Sequence, residues 1–443
     1  MEKPGRREGR RIVLVLYPFQ GHINPMLQLG TMLCSRGFSI TVVHPEFNSP
    51  DTSKHPDFTF ISVEDCLIDE PGDSMTFLST LNANFQSSFR RLLEQMMKRE
   101  AENSVVCIVF DVLMYFAQSI AADFKIPAIG VRTTSAASAL AFFTYGGNPS
   151  RDPRLEGQDT ELNFLTKDLP ALDLKARNDA TLKAQAEVMH SMGQAMRSST
   201  AIIINTMDSL EQTSLAKLRE CFSIPIFAAG SFHKYAPESS SSLLKEDTNC
   251  ISWLNEQAPK SVIYVSFGSI AKTTKNQFLE IAWGLADCAL PFLWVVRPGS
   301  VEGCEWIEGL PGGFNEMVKE RGRIVKWAPQ KEVLAHSAVG GFWSHCGWNS
   351  TLESICEGIP MLCRPFNAEQ CLNARCLCHM WKVGIELENE LERGAIKKAT
   401  RKLMVDNDGK GTRERMLAFK KAAEICVEKE AGLNELIHFL FSL

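Results

Sequence analysis

Short apolar runs alternate with amphipathic stretches along this chain, and this alternation limits its possible folds more than any other feature. Ile12–Leu16 is followed by a helical pattern that we expect to begin near Pro25, and then by a second apolar run at Ser39–Val43. The second half repeats this order, with apolar runs at Ser261–Ser266 and Phe292–Val296. Strand, helix and strand in this order predict α/β domains built on parallel sheets. Further strands are expected at Arg323–Lys326, Val339–Trp343 and Pro360–Cys363.

The length of the chain predicts two domains. A single core rarely extends beyond roughly 250–300 residues, and the chain has 443. We place the domains at 1–234 and 250–425, with a linker at 235–249 that contains four consecutive serines, Ser239–Ser242. Ligands of such sheets bind outside the carboxyl ends of the strands, so we expect them in the cleft between the domains.

Charge and composition exclude several classes of function. The net charge is −5 and the pI is near 6.1, which argues against a nucleic-acid-binding protein. No apolar run is long enough to span a membrane or to form a signal peptide, so we expect a cytoplasmic protein whose 14 cysteines are reduced thiols. Cys376, Cys378 and His379 lie close together, but no second pair follows at zinc-ligand spacing. We therefore predict no metal site.

Two polar residues follow apolar runs in the first half. His22 comes shortly after Ile12–Leu16, and Asp111 ends the run Val105–Phe110. A neutral imidazole can deprotonate a hydroxyl, and it works best when a carboxylate orients its other nitrogen. A structural histidine and a loop or capping aspartate are the alternatives, and spacing alone does not establish a contact between the two residues.

A turn rich in polar residues follows the strand expected at Val339–Trp343. It comprises residues 344–350 and leads into a helix that we expect to begin near Thr351. The N-terminus of a helix presents N–H groups and a positive dipole end that suit a diphosphate. Ser350 and Glu353 are also spaced for a capping box with no ligand, and periodicity does not decide between the two interpretations.

The segment from Trp327 to Gln370 resembles the plant secondary-product glycosyltransferase box, a signature of enzymes that use UDP-sugars. The matching positions are Trp327, Gln330, His345, Cys346, Gly347, Trp348, Asn349, Ser350, Glu353, Gly358, Pro360, Pro365 and Gln370. The segment from Pro18 to Pro25 and the turn from Ser266 to Ser269 also match, and the resemblance covers nearly the whole chain. It is closest to the group 76 branch of the family-1 UDP-glycosyltransferases. The resemblance implies a GT-B fold, with two facing Rossmann-like domains and residues 426–443 packing back on the N-terminal domain.

The resemblance also implies roles for individual residues. Those for uracil and ribose are Trp327, the main chain of Ala328, Gln330 and Glu353. Those for the diphosphate are Ser269, His345, Asn349 and Ser350, and those for the sugar are Trp348, Glu369, Gln370 and either Thr133 or Thr134. His22 matches the general base of the family and Asp111 its orienting carboxylate. The family usually has Asp where this chain has Glu369, so the carboxylate lies one methylene further out.

The implied reaction is inverting transfer of a hexose, with glucose as the expected sugar, from a UDP-sugar to a hydroxyl or similar nucleophile of a small and largely apolar plant metabolite. UDP-glucose is then a co-substrate, with no further cofactor, and we expect a monomer. Candidate acceptor contacts are Phe19, Met75, Phe85, Tyr115, Phe142, Phe143, Met189 and Met192. Flavonoids, other phenolics, terpenoids, hormones and existing glycosides all stay open as acceptors.

Two other functions share parts of this pattern. A nucleotide-dependent oxidoreductase needs Gly-x-Gly-x-x-Gly after a strand, and the chain has no such motif. A UDP-sugar-binding protein without activity is the second alternative, and the presence of both His22 and Asp111 argues against it.

Overall fold

The structure is a computed structural model, and it describes residues 10–63, 74–99, 104–145, 164–165, 180–236, 242–387 and 391–443. The chain divides into two compact units. Unit 1 consists of Met1–Leu243 and Cys426–Leu443, and unit 2 consists of Leu244–Ile425. Three of the four linker serines, residues 239–241, lie outside the described residues.

Unit 1 is built on a parallel sheet that has seven strands in its described part. The strands are β1 Arg10–Val15, β2 Ser39–Pro45, β3 Thr59–Val63, β4 Ser104–Asp111, β5 Ala128–Arg132, β6 Ala201–Ile204 and β7 Ile226–Ala228. Their order across the sheet is β3-β2-β1-β4-β5-β6-β7. The central strands are continuous apolar runs because the strands of a parallel sheet are buried on both faces.

The helices of unit 1 cover this sheet. They are Gln20–Ser35, Ser74–Arg99, Phe116–Asp123, Ala136–Tyr145, Ala180–Arg197, Asp208–Cys221, Phe232–Tyr235 and Ala431–Ser442, with short 3-10 turns at Thr52–Lys54 and Val112–Met114. The apolar face predicted for the first helix, including Met26 and Leu33, is buried in the core against β1. The last helix adds Leu436 and Leu440 to the same core, and Phe441 stacks on Phe38 with ring centroids 4.9 Å apart.

Unit 2 repeats the design with six described strands. They are β8 Val262–Ser266, β9 Phe292–Val295, β10 Gly322–Val325, β11 Val339–Ser344, β12 Met361–Cys363 and β13 Gly384–Glu386. The order is β10-β9-β8-β11-β12-β13, again all parallel. The expected strands of the second half therefore form, with boundaries shifted by no more than one residue.

The helices of unit 2 connect these strands. They are Asn249–Asn255, Lys275–Cys288, Phe314–Val318, Gln330–Ala335, Trp348–Glu357, Ala368–Arg375 and Arg393–Met404, with 3-10 turns at Lys319–Arg321 and Asn407–Gly409 and a π-helical turn at Cys376–Met380. The long helix Lys410–Lys429 begins in unit 2 and ends in unit 1. In the part of the chain that the structure describes, no helix is long and apolar enough to cross a membrane.

Both sheets have the strand order of a doubly wound Rossmann fold. In that fold the chain winds outward in two directions from one pair of neighbouring strands, and ligands bind at the carboxyl ends of this pair. The pair is β1 and β4 in unit 1, and β8 and β11 in unit 2. The fold therefore predicts one ligand-binding position in each unit, at the carboxyl ends of this pair of strands.

The first helix begins earlier than expected. The sequence pattern places its start near Pro25, but the helix starts at Gln20 because the carbonyl oxygen of Phe19 accepts the N–H groups of His22 and Ile23, at 2.8 and 2.9 Å. Pro25 lies inside the helix, where it lacks the N–H that would bond to the carbonyl of Gly21. His22 is therefore in the first helical turn, although the expected start near Pro25 would have placed it before the helix.

Candidate functional site

His22 and Asp111 lie at the carboxyl ends of β1 and β4, the pair of strands that the fold singles out in unit 1. The two strands are paired in parallel, with Val15 opposite Phe110. His22 Nδ1 lies 2.7 Å from Asp111 Oδ2, although 89 positions separate the residues in sequence. The histidine side chain is 22% exposed and the aspartate side chain 3%. The histidine thus reaches solvent while its partner is buried.

The hydrogen bonds of Asp111 determine which nitrogen of His22 carries the proton. Asp111 Oδ1 accepts the main-chain N–H of Leu113 at 2.9 Å, so both carboxylate oxygens are occupied. A carboxylate can only accept, so His22 Nδ1 must donate to it. In a neutral imidazole the lone pair is then on Nε2, where it can accept a proton from a bound hydroxyl.

Thr133 contributes to the same arrangement. Its Oγ1 lies 3.0 Å from His22 Nδ1, which gives the Nδ1–H a second acceptor beside Asp111. The resemblance suggested Thr133 or Thr134 as sugar contacts, and the structure separates the two. Thr134 Oγ1 is buried with no hydrogen-bond partner among the described residues.

Tyr17 connects His22 to a group of aromatic rings, since it contacts the imidazole and the rings of Phe19 and Phe77. The ring of Tyr17 lies edge-on to the imidazole at 5.0 Å, and Phe19, Phe47 and Phe77 form a group with centroids 5.6 to 6.1 Å apart. Burial and the negative charge of Asp111 raise the pKa of Tyr17, so its hydroxyl stays protonated. Of these residues only Phe19 was expected from the sequence. Phe47 could have been found, because it follows the carboxyl end of β2, whereas no pattern marks Phe77.

The other predicted acceptor residues differ in their exposure. Phe85 is fully buried against Phe116, so it is a core residue and the prediction that it contacts the acceptor is not supported by its position. Phe143, Met189 and Met192 are also buried. Met75, Tyr115 and Phe142 are half-buried.

In unit 2, the turns that follow β8 and β11 enclose His345. A Cβ atom added to Gly268 would lie 2.6 Å from His345 Nε2, and one added to Gly347 would lie 2.4 Å from it. Real Cβ contacts are never this short, so only glycine allows the imidazole between the two turns. Gly268 also has a φ of +75°, which disfavours any side chain.

His345 is uncharged near neutral pH. Burial lowers its pKa from the ordinary 6.5 to about 4, although a hydrogen bond to the main chain of Ser266 opposes this effect. Its Nδ1 is buried with no hydrogen-bond partner among the described residues. A neutral imidazole can form a hydrogen bond with a diphosphate, but it has no positive charge to attract one.

The helix that follows β11 begins at Trp348, three residues earlier than expected. Its N-cap is Gly347, which has no side chain to accept the first amide groups. Ser350 and Glu353 lie inside the helix, so the capping-box interpretation is wrong. Asn349 and Ser350 are in the first turn, where the dipole of the helix favours an anion.

Gln330 connects three side chains of this site. Its Nε2 donates to Ser350 Oγ at 2.9 Å and to Glu353 Oε2 at 2.7 Å, and its Oε1 accepts from the hydroxyl of Tyr264 at 3.3 Å. Three of the predicted donor residues are thus in direct contact. Tyr264 was not predicted, because a tyrosine within a buried strand looks like an ordinary core residue.

The remaining donor residues lie on loops and helix starts of unit 2. Trp327 is half-buried and Ala328 buried, directly before the helix Gln330–Ala335. Glu369 and Gln370 lie in the first turn of the helix Ala368–Arg375, which follows β12. Gln370 Oε1 accepts the N–H of Phe366 at 2.8 Å, so its NH₂ group is the part oriented to donate elsewhere. Ser269 is half-buried, and Trp348 is buried.

Among the described residues, no group of three or more His, Cys, Asp or Glu side chains could hold a metal ion. Cys376, Cys378 and His379 lie in the π-helical turn, and His379 Nε2 is 3.3 Å from Glu386 Oε2.

Comparison with known proteins assigns the family. Residues 242–416 match the family model described as UDP-glucoronosyl and UDP-glucosyl transferase. The chain is 44% identical to UDP-glycosyltransferase 76E1 of Solanum lycopersicum, over 98% of this chain and 92% of that protein. The chain belongs to the UDP-glycosyltransferase family. It is also 43% identical to flavonol 3-O-glucosyltransferase UGT76E12 of Arabidopsis thaliana, over 100% of this chain and 98% of that protein.

A solved structure of this family has the same fold. Phytolacca americana UGT2, complexed with UDP-2fluoro-glucose and pterostilbene, is 25% identical and aligns with a TM-score of 0.80 over 98% of this chain and 99% of that one. The predictions of the family, of its group 76 branch and of two Rossmann-like domains are confirmed. This UDP-glycosyltransferase transfers a sugar from a UDP-sugar to a small molecule.

Proposed function

We propose that this enzyme transfers glucose from UDP-glucose to a hydroxyl of a small, largely apolar plant metabolite, with inversion at the anomeric carbon. His22 acts as the general base and Asp111 orients it. The single observation that carries the proposal is the 2.7 Å contact between His22 Nδ1 and Asp111 Oδ2, which places the lone pair of the neutral imidazole on Nε2.

The base acts at one step. As the acceptor oxygen attacks the anomeric carbon, its proton passes to His22 Nε2 and the bond between that carbon and the diphosphate breaks. The imidazolium that results is stabilised by the buried carboxylate of Asp111. A single displacement of this kind inverts the configuration.

The donor-binding role of unit 2 is supported by its turns and helix start. We assign the diphosphate to Ser269, His345, Asn349 and Ser350, at the N-terminus of a helix whose dipole opposes the negative charge that develops on UDP. We assign the uracil to the face of Trp327 and the main chain of Ala328, and the ribose to Gln330 and Glu353. Since Thr133 is held by His22, Thr134 is the hydroxyl that we assign to the sugar, with Trp348, Glu369 and Gln370.

An aromatic or otherwise apolar acceptor is supported by the rings of Phe19, Phe47 and Phe77 near His22. UGT76E12 is named for a flavonol, and the structure of UGT2 contains pterostilbene. We include Met75, Tyr115, Phe142 and Met189 as further candidates for the acceptor pocket. Screening UDP-glucose with a panel of plant aglycones by mass spectrometry identifies the acceptor.

We propose further that the enzyme is cytosolic and monomeric. Every cysteine in the described part of the chain is a free thiol, as the reducing cytosol favours. Light scattering on the purified chain and imaging of a fluorescent fusion in plant cells test these two points.

The variant His22→Ala tests the base. We expect its turnover of an alcohol acceptor to fall by about 10²–10⁴, the usual contribution of a positioned base. Its affinity for UDP, measured by calorimetry, should stay within about twofold of the wild type, since His22 lies outside the proposed UDP contacts. Retention of most activity on an alcohol would contradict the assignment.

Competition between UDP-glucose and UDP-galactose tests the sugar. The two differ only in the direction of the 4-hydroxyl, so the groups that bond to it decide the preference. Gln370 presents its NH₂ group in a fixed direction because Phe366 holds its oxygen. A misplaced hydroxyl leaves that donor unpaired at a cost of roughly 1–3 kcal/mol, or about 5- to 150-fold in kcat/KM. Since Glu369 is longer than the usual Asp, we expect the lower half of this range. Equal or greater formation of galactoside would refute the preference for glucose.

A further inference from the structure

We propose that Glu211 is a positioning residue for the reaction: it holds the loop that presents Thr133 to His22, and so keeps the imidazole in the orientation that the reaction needs. This inference rests on the proposed role of His22.

Glu211 is a buried carboxylate that caps a helix other than its own. It belongs to the helix Asp208–Cys221 and is 4% exposed. Its Oε2 accepts the N–H of Ala136 at 2.8 Å and the hydroxyl of Thr206 at 2.6 Å, and its Oε1 accepts the N–H of Ala137 at 2.9 Å. Ala136 and Ala137 are the first two residues of the helix Ala136–Tyr145.

The backbone of Glu211 explains how its side chain reaches this helix. Its dihedral angles, φ −127° and ψ 36°, are not helical and interrupt its own helix. Burial raises the pKa of its carboxyl above the ordinary value, and the three donated hydrogen bonds oppose this larger effect. Three donors facing one carboxylate favour the ionised form, which can accept all of them at once.

The helix that Glu211 caps starts directly after the Thr133 loop. Residues 133–135 link β5 to this helix, and Ser135 Oγ accepts the N–H of Ser138 at 3.1 Å. At the other end of the loop, the carbonyl of Arg132 accepts the N–H of Asn205 at 3.1 Å. The loop is therefore fixed on both sides, and Thr133 is the residue within it that contacts His22.

A buried cap also stabilises the fold, so the test must separate positioning from stability. The acidity of the acceptor provides this separation. An acidic phenol loses its proton without much help, whereas an alcohol depends on the base. A variant that disturbs the base therefore loses activity on the alcohol selectively, but a variant that only destabilises the fold lowers both activities alike.

The experiment compares kcat for 4-nitrobenzyl alcohol and 4-nitrophenol, two probes of similar shape whose hydroxyls differ widely in acidity. The variants are Glu211→Gln, Thr133→Val, the double variant and His22→Ala. Glu211→Gln keeps the size of the side chain but turns a donor toward one of the backbone N–H groups. Thr274→Ala is the matched control, because it removes the N-cap of the helix Lys275–Cys288 in unit 2.

We expect Glu211→Gln and Thr133→Val each to lower kcat for the alcohol about 10- to 100-fold, as small displacements of a reacting group do, and to change kcat for the phenol by no more than about threefold. For the alcohol, kcat of the double variant should be no lower than that of the less active single variant, since the two residues act as one unit. Thr274→Ala should leave the ratio of the two rates unchanged. If Glu211→Gln does not fold, Glu211→Asp, which draws the carboxylate back by one methylene, replaces it with the same expected ratio.

Two results would overturn the inference while leaving the base assignment intact: a Glu211 variant that lowers both rates equally, or fully additive losses in the double variant. Failure of the proposed function looks different. In that case His22→Ala itself retains its activity on the alcohol, whatever the Glu211 variants do.

Discussion

Replacement of Asp111 by asparagine tests the geometry of the base, because the hydrogen bonds of the site decide how the new side chain must point. The amide of the asparagine has only one oxygen for the two groups that Asp111 serves. The N–H of Leu113 lies 2.9 Å from Oδ1 and needs an acceptor. If the oxygen stays there, the NH₂ group faces His22 Nδ1 at the 2.7 Å position of Oδ2. The nitrogen Nδ1 must then accept, and the proton of the imidazole moves to Nε2.

The magnitude follows from the two orientations of the amide. Turning it over restores the active tautomer but leaves the N–H of Leu113 facing a donor, at a cost of roughly 1–3 kcal/mol. The active tautomer is therefore about 5- to 150-fold less populated. The imidazolium formed in the reaction also loses the negative charge of its partner. In a Ser-His-Asp triad, forcing the wrong tautomer in this way costs about 10⁴ in kcat. We expect Asp111→Asn to lower kcat on an alcohol by about 10²–10⁴, close to the loss in His22→Ala.

Asp111→Ala should lower kcat less than Asp111→Asn does. Alanine imposes no tautomer, and Thr133 Oγ1 still lies 3.0 Å from His22 Nδ1 as an acceptor. The assay is steady-state turnover of one alcohol acceptor by the three variants, with UDP affinity as the control for folding. The reasoning is refuted if Asp111→Asn is more active than Asp111→Ala, or lies within about fivefold of the wild type.

Two further predictions concern His345. Gly347→Ala should weaken UDP binding and destabilise unit 2 by about 1–3 kcal/mol, because its Cβ would lie 2.4 Å from the imidazole. The matched control is Gly394→Ala, at a site where an added Cβ has nothing within 4 Å. Equal UDP affinity of the two variants in calorimetry would contradict the prediction. Unit 2 should also lose stability as pH falls from about 6.5 to 4, by up to about 3 kcal/mol, because the unfolded chain protonates this histidine at the ordinary pKa of 6.5 and the folded chain only near a pKa of about 4. In denaturant titrations at pH 7 and 5, the His345→Asn variant should lose correspondingly less of its free energy of unfolding than the wild type. An equal loss in the two proteins would exclude the effect. Burial also lowers the pKa values of His44 and His55, but the two proteins share these residues, so their contributions cancel.

The architecture could be predicted from the sequence because it depends on local patterns. Apolar runs and helical faces of the right length predict parallel sheets, and the ends of strands predict where polar residues gather. His22, Asp111 and the turn from Ser344 to Ser350 were found in this way. The errors were also local: Pro25 looked like the first residue of a helix, and Ser350 with Glu353 looked like a capping box.

Contacts between distant parts of the chain could not be predicted, since local sequence patterns do not show which side chains will be in contact in the folded protein. Thr133 and Asp111 meet at one imidazole only because β1, β4 and β5 end at the same edge of the sheet. Glu211 caps a helix 74 positions away because its own helix is interrupted there.

The sequence by itself determined the secondary structure, the family and the chemical groups available, because each of these depends on residues near one another or on a spaced motif. Only the tertiary structure decided the state of those groups. Burial between two glycine turns keeps His345 neutral, and a buried carboxylate with both oxygens occupied places the lone pair of His22 on Nε2. Protonation and orientation depend on the solvent and partners that folding brings to a side chain, and these are properties of the folded chain alone.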